Sequence, residues 1–195
     1  MMRKIAIDKA AHIVNAATDA LTRAQTATGY DQFSRFWSEF LTAYTRFYNA
    51  LDAGKVVSPR SEKWVKQKKA ERKDNSLLQY LFQARNADEH GLEPVVIRQA
   101  PSLTVGHGNN IYIENLVVRH GEIINLKGTE DGKPITVRHH PEGARLVSVT
   151  NRGISYTPPE EFARLRRFDE IASEVFPVIS YMKGLVDEGR SYIID

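Results

Sequence analysis

An arginine, an asparagine and a histidine near the middle of the chain could together act on a phosphodiester. They form the motif Arg85-Asn86-x-x-x-His90. An imidazole can take the proton from a ribose 2′-hydroxyl, and a guanidinium can neutralise the charge that develops on the phosphoryl oxygens of the attacked phosphate. Asn86 could hold the imidazole tautomer or donate a hydrogen bond to phosphate. These residue types fit RNA cleavage without a metal ion or any other cofactor, with Arg85, Asn86 and His90 as the candidate catalytic set.

The spacing of this motif limits how one helix can present it. Arg85 and His90 are five residues apart, so a continuous helix places them about 140° apart around its axis. Unwinding at Gly91, or a bend at Asn86-Ala87, would let both side chains reach one pocket. The sixteen arginines, nine asparagines and six histidines of the chain give the three-residue pattern by chance about 0.02 times.

Two other interpretations of the motif remain open. Arg85 and His90 could be cations that stabilise a helix C-terminus, with Gly91 in the left-handed conformation that ends the helix. They could also form a ligand or partner site without catalysis. Asp88 and Glu89 lie inside the motif, where either carboxylate could pair with Arg85.

The motif ends the third of three N-terminal helices that the hydrophobic pattern predicts. The first covers residues 4–27. The second begins with Asp31 as N-cap and ends at Gly54. The third begins with Ser61 as N-cap, and its polar middle either projects from the core or breaks near Asp74-Asn75. The apolar faces of the first two helices are Ala10, Ile13, Val14, Ala17, Ala20, Leu21 and Ala24, and Phe33, Phe36, Trp37, Phe40, Leu41, Tyr44, Phe47, Tyr48 and Leu51.

After the motif, the pattern changes to short β-branched runs separated by turn residues. Their spacing predicts five to seven antiparallel strands, as a small sheet or a partly open barrel. Thr157-Pro158 then starts a long helix, which Pro177 should kink or restart. The chain is therefore expected to be an α+β protein in which residues 1–91 and 158–195 form a helical bundle and residues 92–157 a β-rich insertion.

Basic residues are concentrated between Arg60 and Lys73, although the net charge of the chain is only +3. Such a stripe attracts polyanions, and Lys63, Lys66, Lys69 and Lys73 are the candidate RNA-binding residues. The alternatives are a solvated helix face and, for the whole protein, a DNA-associated regulator that uses this helix.

Several function classes are excluded or disfavoured. The chain has no cysteine, so disulfides and thiolate chemistry are excluded. His107, His120 and His139-His140 do not establish a metal site, because adjacent histidines on a strand point to opposite faces. The segment 106–110 has the glycines of a phosphate loop without its lysine and is interpreted as a hairpin turn. No apolar run approaches the ~18 residues that cross a bilayer, and we expect a cytoplasmic protein without a membrane partner.

The Arg85-Asn86-x-x-x-His90 motif at the end of a bundle helix resembles the HEPN superfamily, over roughly residues 4–91 and 158–188. HEPN proteins are helical bundles that commonly dimerise, so that two such motifs face a cleft that cleaves RNA without metal. The resemblance implies Arg85, Asn86 and His90 as catalytic residues and a homodimer as the active form. It also implies RNA as substrate and, as a possible partner, an antitoxin or another defence-system protein. The alternative function is a non-catalytic dimeric module of this fold that binds a ligand or partner.

Overall fold

The computed structural model describes residues 2–55, 58–90, 94–106, 110–120 and 122–193, and of His90 it describes the backbone alone. The chain is an α+β protein. Its helices are α1 Lys4–Gln25, α2 Tyr30–Gly54, α3 Pro59–Asp74, α4 Ser76–His90, α5 Glu160–Ala163 and α6 Phe168–Arg190. Its strands are β1 Val96–Gln99, β2 Ser102–Val105, β3 Ile111–Arg119, β4 Glu122–Glu130, β5 Lys133–Pro134, β6 Val137–His140, β7 Gly143–Leu146, β8 Val149–Asn151 and β9 Ile154–Tyr156.

The helical core is built on the long apolar faces of α1 and α2, which pack against each other and, through α1, against α6. All seven predicted positions of α1 are buried, and eight of the nine predicted positions of α2 are buried. Phe36 is partly buried, and the guanidinium carbons of Arg23 and Arg35 each lie 4.6 Å from its ring centre. The alanine-rich face of α1 allows this close helix packing, because alanine adds little bulk between the two backbones.

Two of the predicted N-caps were wrong, one by two residues and the other by three. Gly29, with extended backbone, is the N-cap of α2, and Asp31 lies in the first turn instead. Ser58 is the N-cap of α3, where its hydroxyl oxygen accepts a hydrogen bond from the Ser61 amide at 3.2 Å. Ser58 is favoured because Pro59 at the first helical position lacks the amide hydrogen that would otherwise be unsatisfied there.

The third predicted helix breaks at Asn75 into α3 and α4, which was one of the two alternatives. Asn75 has extended backbone, and its side-chain oxygen accepts a hydrogen bond from the Leu78 amide at 2.9 Å. A short polar side chain that bonds the backbone in this way competes with the continuing helix and caps the next one.

The C-terminal helix also differs from the prediction, because it forms in two pieces. The four-residue α5 has Pro159 rather than Thr157 as N-cap, and α6 starts only at Phe168. Between them Arg166 exchanges two backbone hydrogen bonds of 2.9 Å with Ala144 of β7. This tertiary pairing holds Arg166 in extended conformation. In contrast, α6 continues through Pro177 to Arg190 without restarting.

The sequence predicted one small sheet or a partly open barrel, and that prediction was wrong. The nine described strands form four small antiparallel sheets, with orders β1-β7, β2-β6, β3-β4-β5 and β8-β9. Residue contacts divide the chain into one unit of Met1–Gln99 with Gly143–Asp195 and a second unit of Ala100–Glu142. The expected boundaries at 92 and 157 thus lie outside those observed. Two hydrogen bonds attach strand residues to the helices. The Tyr30 hydroxyl donates to the Val96 carbonyl of β1 (2.7 Å), and the Tyr80 hydroxyl donates to the carbonyl of Val147, the residue after β7 (2.9 Å).

Candidate functional site

Helix α4 fixes the position of the motif by burying one face against α2 and β8. Leu78, Tyr80, Leu81 and Ala84 are buried, and Tyr44 of α2 donates a hydrogen bond to the Leu78 carbonyl at 3.0 Å. The residues that follow this buried face, Arg85 and Asn86, are only partly buried. The start of the motif therefore lies at the edge of a well-packed helix.

The guanidinium of Arg85 is engaged by a carboxylate of its own helix. Its Nη2 forms an ion pair with Oε2 of Glu89, one turn later. The side chain of Arg85 is 21% exposed and that of Glu89 is 49% exposed. The Nε of Arg85 is buried and has no hydrogen-bond acceptor in the part of the chain that the structure describes. Arg85 thus retains an unused donor beside its ion pair.

Asn86 and Asp88 are held by neighbours outside the motif. The Asn86 amide nitrogen lies 3.4 Å from the side-chain oxygen of Gln83, which also accepts a hydrogen bond from Asn151 of β8 at 2.7 Å. Asp88 accepts a hydrogen bond from the Ser38 hydroxyl of α2. Of the two acids inside the motif, Glu89 is therefore the one that competes for Arg85.

His90 is the last residue of α4, and its side chain, like Gly91 and the left-handed cap predicted there, lies outside the described residues. The helix has no break at Asn86-Ala87, where a bend was considered. The backbone positions of Arg85 and His90 are therefore about 140° apart around one continuous helix. Backbone geometry does not place the two residues on one face.

The four candidate RNA-binding lysines lie on α3 with different neighbours. Lys66 forms an ion pair with Glu62 (2.9 Å) and Lys69 with Asp52 (2.5 Å). Lys63 and Lys73 are exposed, and neither has an ion pair within the described ranges. Acidic side chains therefore offset half of the expected positive patch.

Arg72 lies within the basic stripe of the sequence, which was expected to be exposed. The structure buries it in the core instead, so for Arg72 that prediction was wrong. It is 6% exposed, and its guanidinium carbon lies 3.5 Å from the ring centre of Phe82 and 5.0 Å from that of Tyr48. Burial lowers the pKa of Arg72, and its Nε has no acceptor among the described residues. Cation–π contact replaces the missing carboxylate. The polar sequence around Arg72 gave no sign of this, because both aromatic partners are distant in sequence.

Tyr44 and Tyr48 lie beside Arg72, and burial raises the pKa of both hydroxyls far above the ordinary range. Both hydroxyls therefore stay neutral even at an alkaline pH at which an ordinary tyrosine ionises. Arg72 therefore has aromatic faces rather than phenolate charges as its neighbours. We interpret this cluster as a structural link between α2, α3 and α4.

The described histidines of the second unit are at its surface. His140 Nε2 lies 2.9 Å from the Thr104 hydroxyl, His139 is exposed, and His120 occupies a left-handed turn position. His107 and most of the predicted 106–110 turn lie outside the described residues. Over the described ranges no group of three or more histidine or acidic side chains has the arrangement of a metal site.

None of the described helices combines the length and the apolar character that crossing a bilayer requires. Comparisons of this chain with protein-family models, with curated proteins and with solved structures find no match.

Proposed function

We propose that the chain is a metal-independent endoribonuclease of the HEPN type that acts in the cytoplasm, in a toxin or antiviral-defence setting. The observation that carries the proposal is the location of the motif. Arg85 and Asn86 lie partly buried on the last turns of a bundle helix, and His90 ends that helix. This is the helix end that the resemblance implies for a catalytic Arg/His pair.

In the proposed reaction, His90 takes the proton from a ribose 2′-hydroxyl, and the 2′-oxygen attacks the adjacent phosphorus. A bond forms between that oxygen and phosphorus while the bond from phosphorus to the 5′-oxygen breaks. The leaving 5′-oxygen takes a proton from water, and the products are a 2′,3′-cyclic phosphate and a 5′-hydroxyl. Arg85 donates hydrogen bonds to the phosphoryl oxygens as their negative charge increases.

The phosphate has to replace Glu89 at the guanidinium of Arg85. Glu89 is half-exposed, and ion pairs of this kind contribute about 0–1 kcal/mol. A phosphate that accepts two hydrogen bonds from one guanidinium can exceed this contribution, because charge-assisted bidentate pairs are the stronger ones. Glu89 thus acts as a resting partner that RNA displaces.

The helix geometry favours a site completed by a second copy of the chain. Residues about 140° apart around α4 face different directions, so Arg85 of one copy and His90 of the other can converge across a two-fold axis. Of the four candidate lysines, Lys63 and Lys73 have no ion pair within the described ranges, and from α3 they would attract RNA.

The first experiment measures cleavage of a fluorogenic RNA in EDTA by the wild type, Arg85→Ala and His90→Ala. The proposal expects activity in the wild type and a loss of about 100-fold or more in each variant, because each removes a group acting on the reacting atoms. Lys127→Ala, which changes an exposed cation of the second unit, is the control and should retain full activity. Equal activity in wild type and His90→Ala would overturn the proposal.

A second experiment tests whether two copies share the site. Arg85→Ala and His90→Ala proteins are mixed under conditions that exchange subunits. In a two-fold dimer with composite sites each mixed dimer contains one intact site, so the mixture should recover about a quarter of the wild-type activity. A mixture as inactive as its components would show that each site belongs to one chain.

The second candidate function is a non-catalytic interaction module. The specific observation in its favour is that Arg85 and Asn86 are both engaged within the chain, by Glu89 and Gln83. In that case Arg85 stabilises the helix end, and neither the wild type nor any of the motif variants cleaves RNA. Arg85→Ala would then lower thermal stability without changing any activity.

A further inference from the structure

The β3–β4–β5 sheet of the second unit has an edge strand of unusual length. β3 spans nine residues, and among the described strands only β4 pairs with it. An unpaired edge exposes a row of backbone donors and acceptors that can pair with another strand. The edge contains no proline and no lysine, two residue types that commonly block such pairing.

Two bulges keep four apolar side chains of β3 on one face of this sheet. The β3–β4 register leaves Glu114 and Ile124 without a cross-strand partner. Each of these extra residues shifts the strand by one position, so that the residues before and after it still alternate between the two faces in step with the partner strand. One face then carries Ile111, Ile113, Leu116 and Val118, opposite Glu130, Gly128, Leu126 and Ile123. The other face carries Tyr112, Asn115, Val117 and Arg119, opposite Thr129, Lys127, Asn125 and Glu122.

The apolar face remains accessible to solvent. Leu116 is 45% exposed and Val118 is 53% exposed, and Ile111 and Ile113 are exposed as well. Across the described residues of 100–142, no hydrophobic side chain is buried. A small sheet needs an apolar face covered by another element to be stable, and contiguous exposed apolar patches mark interaction surfaces.

We propose that β3 pairs in antiparallel orientation with β3 of a second copy of this chain. The charges of the strand favour this occupant, because Glu114 lies in its first half and Arg119 at its end. Antiparallel pairing centred on Val117 places Arg119 of one copy opposite Asn115 of the other, and therefore next to Glu114. Parallel pairing would place like charges side by side, which destabilises a sheet.

This arrangement also matches the faces of the two sheets. With Val117 opposite its own copy, Leu116 lies opposite Val118 and Asn115 opposite Arg119, so each pair is on one face. Two three-stranded sheets become one six-stranded sheet, and Leu116 and Val118 of both copies form a shared apolar cluster. The inference concerns the second unit alone and does not depend on the proposed ribonuclease.

Because the chain has no cysteine, one introduced thiol reports this contact directly. Cross-strand neighbours have Cβ atoms about 4.5–5.5 Å apart, close enough for a disulfide after a small adjustment. Val117→Cys should therefore form a covalent dimer under mild oxidation. Ile154→Cys, which changes an apolar residue of β9 that is 57% exposed, is the matched control and should remain uncrosslinked. Equal crosslinking of both variants, or none in Val117→Cys, would overturn the proposal.

A second measurement uses sedimentation over roughly 1–200 µM protein. Leu116→Lys/Val118→Lys should weaken association at least about tenfold, whereas Ile154→Lys should leave it unchanged. Both changed positions are exposed, and circular dichroism checks that the fold is retained. Glu114→Lys should also weaken association, and Glu114→Lys/Arg119→Glu should restore it because the charges remain complementary. A wild-type monomer throughout, or a dimer unaffected by the lysines, would contradict the inference.

Discussion

Replacing Glu89 by glutamine should increase RNA cleavage. The substitution keeps the size of the side chain and removes the negative charge that pairs with Arg85. The guanidinium then becomes available to phosphate without displacement of a carboxylate. A residue inside a catalytic motif is normally expected to lose activity when changed, so an increase is a distinctive result.

The expected size of the increase follows from the exposure of the pair. Glu89 is half-exposed, and such pairs contribute about 0–1 kcal/mol. Since about 1.4 kcal/mol corresponds to a factor of ten, removal of this competition should raise kcat/KM up to about fivefold. The same loss should lower the free energy of unfolding by no more than about 1 kcal/mol.

Asp88→Asn supplies a closely matched control. It removes the same charge one residue earlier in α4, but Asp88 bonds to Ser38 and not to Arg85. Any gain from weaker repulsion of RNA appears in both variants, so the ratio between them isolates the effect on Arg85. Both are assayed in EDTA at two salt concentrations. Equal rates for the two variants, or a rate for Glu89→Gln below that of the wild type, would refute the reasoning.

Two further predictions concern stability. Arg72→Ala should lower the free energy of unfolding, measured by urea titration, by about 2–4 kcal/mol, because it removes a buried side chain packed on two aromatic rings. As the control, Lys73→Ala changes an exposed neighbour and should alter the same free energy by less than about 0.5 kcal/mol. Burial acts to raise the pKa of Asp52, but hydrogen bonds from Lys55 and Lys69 outweigh it and lower that pKa. This contribution to stability is present above the ordinary pKa of the carboxyl group and is lost as the pH falls through the lowered value. Asp52→Asn should therefore destabilise the protein at pH 7, and its difference in stability from the wild type should shrink as the pH falls below the ordinary pKa of the carboxyl group. A difference that stays constant as the pH is lowered would contradict this assignment.

The helices were predictable because their signal is local and strong. The apolar faces of α1 and α2 repeat at helical spacing, and the structure buries them as expected. The errors occur where a distant segment decides the conformation. Arg166 interrupts the C-terminal helix because Ala144 offers it a strand-like partner, and nothing near Arg166 in sequence encodes that pairing.

The strands were predictable in type and not in arrangement. Short β-branched runs marked most of them, but the bulges at Glu114 of β3 and Ile124 of β4 set the face that each residue occupies. The attachment of β1 and of the residue after β7 to the helices depends on the hydroxyls of Tyr30 and Tyr80. These tyrosines look like ordinary apolar helix positions in the sequence.

For the candidate site, the sequence identified the motif and the two acids that could pair with Arg85. It could not decide which of the two acids does so. Asp88 and Glu89 are adjacent, and only the turn of α4 decides which one reaches Arg85. The spacing of one helical turn between Arg85 and Glu89 favours an ion pair, whereas Asp88 lies on the side that meets Ser38. The same rotation separates Arg85 from His90.

The end of α4 adds an electrostatic reason for a shared site. The C-terminus of a helix carries partial negative charge, which stabilises a protonated imidazole and repels phosphate. His90 lies at that end, while Arg85 is about 7.5 Å nearer to the helix centre, at 1.5 Å per residue. A scissile phosphate is therefore better placed beside Arg85 than at the helix end of the same chain. An imidazole from a second copy can approach the phosphate from the opposite side. If the site is shared in this way, the mixture of Arg85→Ala and His90→Ala proteins must recover activity.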